Sequence, residues 1–178
     1  MLPQEIAPPQ TDESPVIIET HDLSRIYPGV VALDNVNYRV YRNKVNVLIG
    51  ENGAGKSTMM KMLAGVETPS SGKIILDGKE VTLNSTHQAE KHGISIIFQE
   101  LNLFPNMNVM DNIFMANEFF QKGKINEKYQ YELAKSLLER LELNVDPYTQ
   151  LGELGIGHQQ LVEIARALSK DTRVLIMD

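Results

Sequence analysis

Apolar and polar positions fall into two regimes along this chain. Up to about residue 100 the apolar runs are short and β-rich: Val16 to Thr20, Leu23 to Tyr27, Val36 to Tyr41 and Val45 to Ile49, with Pro28-Gly29 and Arg42-Asn43 marking turns. The run Val45-Asn46-Val47-Leu48-Ile49 predicts a buried strand, and Met59 to Gly65 predicts a helix. Lys73 to Asp77, the turn Asp77-Gly78 and Glu80 to Leu83 predict a hairpin in a small antiparallel unit. Thr86 to His92 predicts a short helix capped at Ser85/Thr86 and stopped at Gly93, followed by the buried strand Ile94 to Phe98. From about Asn108 to Lys170 the spacing becomes helical. Leu133, Leu137, Leu138 and Leu141 form one apolar stripe, and Leu161, Ile164, Ala165 and Leu168 another, each opposed by a charged face. Val174 to Met177 predicts a last buried strand ending on Asp178.

Residues 1–15 carry Pro3, Pro8, Pro9 and Pro15 among acidic residues with little to bury, so a disordered tail is expected there and a folded region over 16–178. Its 178 residues, 42% of them hydrophobic, suffice for one globular domain. The net charge of −6 and the lack of any Lys/Arg run exclude a nucleic-acid footprint. The absence of cysteine excludes disulfides and fits a cytoplasmic setting. The longest apolar runs fall far short of the ~20 residues that span a bilayer.

Candidate chemistry concentrates at Gly50-Glu51-Asn52-Gly53-Ala54-Gly55-Lys56-Ser57-Thr58, which lies between an expected strand and an expected helix. The spacing fits G-x-x-x-x-G-K-[ST], a loop whose backbone amides surround a phosphate while the Lys reaches the β/γ oxygens. Gly50, Gly53 and Gly55 are expected at backbone angles closed to other residues. Lys56 is the point charge on the phosphates and the Ser57 hydroxyl a magnesium ligand. The competing reading is a Gly-rich turn that binds nothing, which the flanking strand and helix disfavour.

Such a loop alone leaves GTPases, kinases and many ATPases open. Three further elements follow in order: Gln99, then Leu154-Gly155-Ile156-Gly157-His158-Gln159-Gln160 entering the helix Leu161 to Leu168, then Val174 to Met177 leading to Asp178. This order resembles the ATP-binding cassette (ABC) family from about residue 16 onward. The phrasing from Tyr27 to Asp34, from Ile97 to Leu103 and from Gln159 to Leu168 looks like the bacterial monosaccharide importers of ribose, galactose and xylose type. The resemblance implies an α/β P-loop NTPase core, a small antiparallel β subdomain and an α-helical subdomain at about 105–165, incomplete after the Walker B aspartate. It matches Lys56 to the Walker A lysine, Tyr27 to an aromatic stacked on adenine and Gln99 to the Q-loop glutamine. Leu154 to Gln160 match the signature, and Asp178 the Walker B aspartate. ATP and Mg2+ are the implied cofactors, with Ser57, Gln99 and Asp178 around the metal.

The implied partners are a membrane permease, a second cassette completing a dimer, and a periplasmic or extracellular sugar-binding protein, with the chain peripheral on the cytoplasmic face of the membrane. The segment Leu103 to Met110, with Phe104, Met107 and Met110, is where the resemblance places a docked permease helix, the alternative being that these methionines fill the core. Two departures stand out. Gly155 replaces a Ser, which removes a hydroxyl donor worth roughly 1.5 to 3 kcal/mol, and His158 replaces a Gln. The family's catalytic Glu and switch His would also lie beyond Asp178, so a truncated chain is expected. An alternative reading is therefore a fragment that binds ATP without turning it over.

Overall fold

A computed structural model of the chain describes residues 15–178, which form two compact units: residues 15–56 with 69–82, and residues 57–68 with 83–178. The first unit is an antiparallel sheet of order β2-β1-β3-β4, with β1 at Val16–Tyr27, β2 at Val30–Tyr41, β3 at Ser71–Leu76 and β4 at Lys79–Val81. The expected strand segments at 16–20 and 23–27 are thus one strand. Asp22, at φ +49°, inserts a bulge, and pairing with β2 skips from Thr20–Tyr38 to Leu23–Val36. The bulge disturbs the ladder, and buried Thr20 and Ser24 repair it. Thr20 Oγ1 donates to Val36 O at 3.1 Å and accepts from Tyr38 N at 2.9 Å, while Ser24 Oγ accepts from Asn35 N at 2.9 Å. Pro28-Gly29 closes the β1–β2 hairpin, and Asp77-Gly78 closes β3–β4 with positive φ at both residues, as a two-residue type I′ turn requires. The expected tail lies outside the described residues except for Pro15, whose carbonyl accepts from Arg42 N.

In the second unit, β5 (Ile94–Ile97) and β8 (Val174–Met177) pair in parallel, from Ile94–Val174 to Ile97–Met177. Helix α1 (Lys56–Leu63) enters from the loop, and α2 (Thr86–Lys91) packs on β5. The N-cap of α2 is Ser85, whose hydroxyl accepts from Gln88 N, and its stop is Gly93 at φ +77°. Helices α3 (Val109–Phe114), α4 (Glu127–Arg140) and α5 (Ile156–Leu168) build a separate core around Val109, Ile113, Phe114, Leu137, Leu138, Leu151 and Val162. A small hairpin, β6 (Phe120–Gln121) and β7 (Lys124–Ile125), interrupts this helical stretch. Its two-residue strands are too short to show a period of two.

Three expectations are corrected. Val45 to Ile49 form no strand: Val45, Val47 and Ile49 are 92%, 67% and 88% exposed, and no strand among the described residues pairs with them. An extended run without a laddered neighbour hydrogen-bonds to water instead. The strand β8 is half-buried, with Ile176 inside and Met177 exposed. In α5 the fully covered residues are Val162, Glu163, Ala165 and Ala167, while Leu161, Ile164 and Leu168 are half-buried. This helix touches α3, α4 and β5, so its buried face is wider than one stripe.

Candidate functional site

In the first unit, the loop closes on itself. Ala54 N donates to Glu51 O at 3.1 Å, and the Lys56 ammonium donates to the carbonyls of Gly50 and Glu51, both at 2.8 Å. The lysine thus lies folded over the loop, its charge held by two backbone acceptors that an anion can replace. Gly53 and Gly55 take φ +83° and +86°. A Cβ at Gly55 would sit 2.5 Å from Ala32 O and 2.7 Å from Leu33 Cδ2, so only glycine lets the loop seat against β2. Gly50 does not take the left-handed angle expected of it; its Cβ would meet Ala54 Cβ at 3.3 Å, a constraint of space. Asn52 and Ala54 are exposed at the loop's tip. Tyr27, at the end of β1, is half-buried and carries the Arg25 guanidinium 4.8 Å over its ring.

In the second unit, α1 continues from Lys56 with Ser57 and half-buried Thr58. The Ser57 hydroxyl donates to Asp178 Oδ1 at 2.7 Å, although 121 residues separate the two. Asp178 N donates to Ile97 O at 3.2 Å, extending the β5–β8 ladder by one residue and fixing the aspartate beside the exit of β5. Gln99 stands exposed two residues beyond that exit. A hydroxyl and an exposed carboxylate are hard oxygen donors, and Mg2+ takes one or two carboxylates together with waters and phosphate oxygens. The pair fits that ion. Among the described residues no group of three or more His, Cys, Asp or Glu side chains forms a protein cage for a metal.

The expected signature heads α5. Gly155 is its N-cap, in extended conformation and without a side-chain cap, and a Cβ at Gly155 or Gly157 would meet nothing within 4 Å. The backbone amides of Ile156 and Gly157 belong to the first turn and find no carbonyl within the helix. Ile156, Gly157 and His158 are exposed. Gln159 reaches back, its Nε2 donating to Leu154 O at 2.8 Å, and braces the turn before the helix. The structure therefore brings Ser57 and Asp178 together at the β5 exit and presents the signature residues on a separate helix end.

Other residues escaped the sequence reading. Asn112 is fully buried; its Oδ1 accepts from Phe104 N at 2.7 Å, and its Nδ2 donates to Phe104 O at 3.0 Å and Asn108 O at 2.9 Å. It shapes the segment that follows Gln99. Within that segment Phe104 is 49% exposed, but Met110 is buried in the helical core and does not join an exposed docking surface. Glu163 is buried, and its Oε1 accepts from Asn102 N at 3.3 Å. Burial pushes its carboxyl above the ordinary range, opposed by that hydrogen bond and by the Arg166 charge. By helical period it belongs on a charged outer face, so sequence alone held no signal for its burial.

The family model described as "ABC transporter" matches residues 33–178. Similar curated proteins include the xylose import ATP-binding protein XylG of Thermoanaerobacter pseudethanolicus, 48% identical over 93% of this chain and 33% of that protein. The ribose import ATP-binding protein RbsA 2 of Streptomyces coelicolor is 46% identical over 91% and 31%. The L-arabinose transport ATP-binding protein AraG of Geobacillus stearothermophilus is 45% identical over 93% and 33%. The chain spans about a third of the length of these relatives. Among solved structures, a nucleotide-free ATP-binding cassette from an ABC transporter superposes with a TM-score of 0.76 at 28% identity, covering 92% of this chain and 68% of that one. The family match spans well over half of the chain: the chain belongs to the ABC transporter family.

Proposed function

We propose that this chain is the nucleotide-binding part of a bacterial importer ATPase that couples Mg-ATP hydrolysis to uptake of a monosaccharide or related polyol. The 2.7 Å bond between Ser57 and Asp178 carries the reading, because it joins the helix after the phosphate loop to the strand that ends in the acidic residue. The names of these curated relatives, xylose, ribose and L-arabinose, point to pentose import. No helix among the described residues is long and apolar enough to cross a membrane; in this reading a permease supplies the transport path.

Each residue has a physical task in this reading. The glycine loop offers backbone amides to the phosphates, and Lys56 exchanges its two loop carbonyls for phosphate oxygens. Tyr27 stacks against adenine. Ser57 and Asp178 hold Mg2+, with Gln99 at the β5 exit beside them; when bound, the ion neutralises charge on the terminal phosphates. Gly155 and Gly157 present α5 amides to a nucleotide on a second cassette, and without a Ser at 155 they do so through backbone alone. A binding protein outside the membrane hands over the sugar, and the cassettes act on the permease from the cytoplasmic face.

Titrating the chain with ATP, with and without Mg2+, tests this. We expect Lys56→Ala to lose at least tenfold in affinity, as removal of a charge-assisted contact of roughly 1.5 to 3 kcal/mol predicts. Asp178→Ala should abolish the gain from Mg2+ while leaving metal-free binding intact. A wild-type chain that ignores ATP overturns the proposal. Phosphate release measured alongside decides whether the chain turns ATP over or only binds it.

A further inference from the structure

The hairpin β6–β7 turns an apolar pair outward. Phe120 and Ile125 lie directly opposite in its register, so their side chains share a face, and they are 67% and 53% exposed. Phe119, one residue before β6, packs into the helical core instead, where its ring meets Phe114 edge-on at 5.7 Å and Tyr129 at 4.9 Å. Asn126 locks the hairpin to α4. Its N–H donates to Phe119 O at 2.7 Å, its Nδ2 donates to Gln121 Oε1 at 3.1 Å, and its Oδ1 accepts from Tyr129 N at 3.2 Å as the helix N-cap. The outward pair is therefore held in place by packing and hydrogen bonds. Lysines surround it. Lys122 and Gly123 take φ +53° and +77° at the two-residue turn, which puts Lys122 at the tip, and Lys124 and Lys128 follow in the next six residues. All three lysines are exposed, and none joins an ion pair among the described residues. Between Phe119 and Lys128 they meet one acidic residue, Glu127, a local charge of +2 in a chain whose net charge is −6.

We infer that the β6–β7 hairpin is a membrane-surface contact, in which Phe120 and Ile125 enter the headgroup region of an anionic bilayer while Lys122, Lys124 and Lys128 meet lipid phosphates. The charge pattern selects this occupant. Lysine stems lie along apolar surface while their ammonium groups stay at phosphate depth, and anionic lipid attracts each lysine held close to it. Pairing hairpin to hairpin with a second copy would set lysine against lysine, which disfavours self-association. The contact needs no nucleotide. It goes beyond the proposed function, in which the chain meets the membrane through a permease, and it turns this side of the helical core toward the bilayer.

Co-sedimentation of the full chain with vesicles tests it, without ATP, on phosphatidylcholine alone and on phosphatidylcholine containing about a third phosphatidylglycerol. Wild type should bind the anionic vesicles at least tenfold more tightly than the neutral ones. Raising the salt from about 0.1 M to about 1 M, which shortens the screening length from ~10 Å to ~3 Å, should release it. Lys122→Ala/Lys124→Ala should weaken binding to anionic vesicles at least tenfold, and Phe120→Ser/Ile125→Ser should weaken it as well, since it removes the apolar area that leaves water. Lys79→Ala/Lys135→Ala removes the same charge from exposed positions elsewhere and should bind within about twofold of wild type. Equal binding to both vesicles, or to neither, overturns the inference. So does an equal loss in the distant lysine pair, which would reduce the effect to total charge. Sedimentation velocity on the same proteins adds one outcome: a dimer that Phe120→Ser/Ile125→Ser dissolves makes the hairpin a self-contact and overturns the membrane assignment. ATP titration is a separate measurement, so failure on vesicles leaves the nucleotide reading standing.

Discussion

Gly53 and Gly55 sit two residues apart in the same loop with nearly the same φ, yet they answer to different physics. A side chain at Gly53 meets nothing within 4 Å, so Gly53→Ala pays only for the left-handed angle, about 1 kcal/mol. At Gly55 the same angle is combined with a Cβ 2.5 Å from the Ala32 carbonyl, a rigid backbone atom. Gly55→Ala is therefore expected to destabilise the chain by more than Gly53→Ala, read as a larger fall in urea midpoint. Gly55→Ala should also weaken ATP binding, because the loop has to lift off β2. The motif calls for glycine at 55, whereas Gly53 falls on one of its unspecified positions. Which glycine answers to angle and which to space depends on Ala32 and Leu33, and no spacing rule contains those neighbours.

At the level of elements, Asn112 shows how one buried polar side chain sets a loop's path. It gives the N–H of Phe104 an acceptor and adds a second donor to the carbonyls of Phe104 and Asn108, which also accept from Met107 N and Asn112 N. Asn112→Asp keeps the acceptor for Phe104 N but turns the donated bonds into repulsions. It is expected to lose about 3 kcal/mol or more, since a neutral unsatisfied buried group costs about 1 to 3 kcal/mol and a buried carboxylate facing carbonyl oxygens costs more. Equilibrium urea unfolding with an unchanged slope would register this as a lower midpoint. The elements most legible in the sequence were those closed by local chemistry. The Asp77-Gly78 turn, the Ser85 cap and the Gly93 stop all appear as expected because a few adjacent residues suffice to specify them. The β6–β7 hairpin was missed because it is two short strands around Lys122-Gly123, with no hydrophobic period to read.

For the whole molecule, the buried Glu163 links stability to pH. Its carboxyl is held above the ordinary glutamate range by burial, so the folded state takes up this proton before the unfolded state does. The penalty of burying the charge is fully present above the folded-state pKa and is relieved as pH falls through it toward the ordinary value. Glu163→Gln removes the charge and keeps the acceptor for Asn102 N. It should match or exceed wild-type stability at pH 7, and the difference should shrink as the pH is lowered to about 5. Midpoints of urea unfolding at the two pH values check the sign. A variant less stable than wild type at pH 7 would mean that the attraction to Arg166 outweighs desolvation.

The sequence by itself determined the glycine loop and its lysine, the cap and turn residues, and the order along the chain of Gln99, the stretch Leu154 to Gln160 and Asp178. Each of these is specified by residues that are neighbours in the chain, or by an order along it. The tertiary structure alone decided that Ser57 meets Asp178 at 2.7 Å, that Asn112 and Glu163 are polar groups placed inside, and that Val45, Val47 and Ile49 stay exposed. Burial and pairing depend on which distant segments come to cover a residue. Hydrophobic pattern records what a segment could bury, and only a packed neighbour makes it do so.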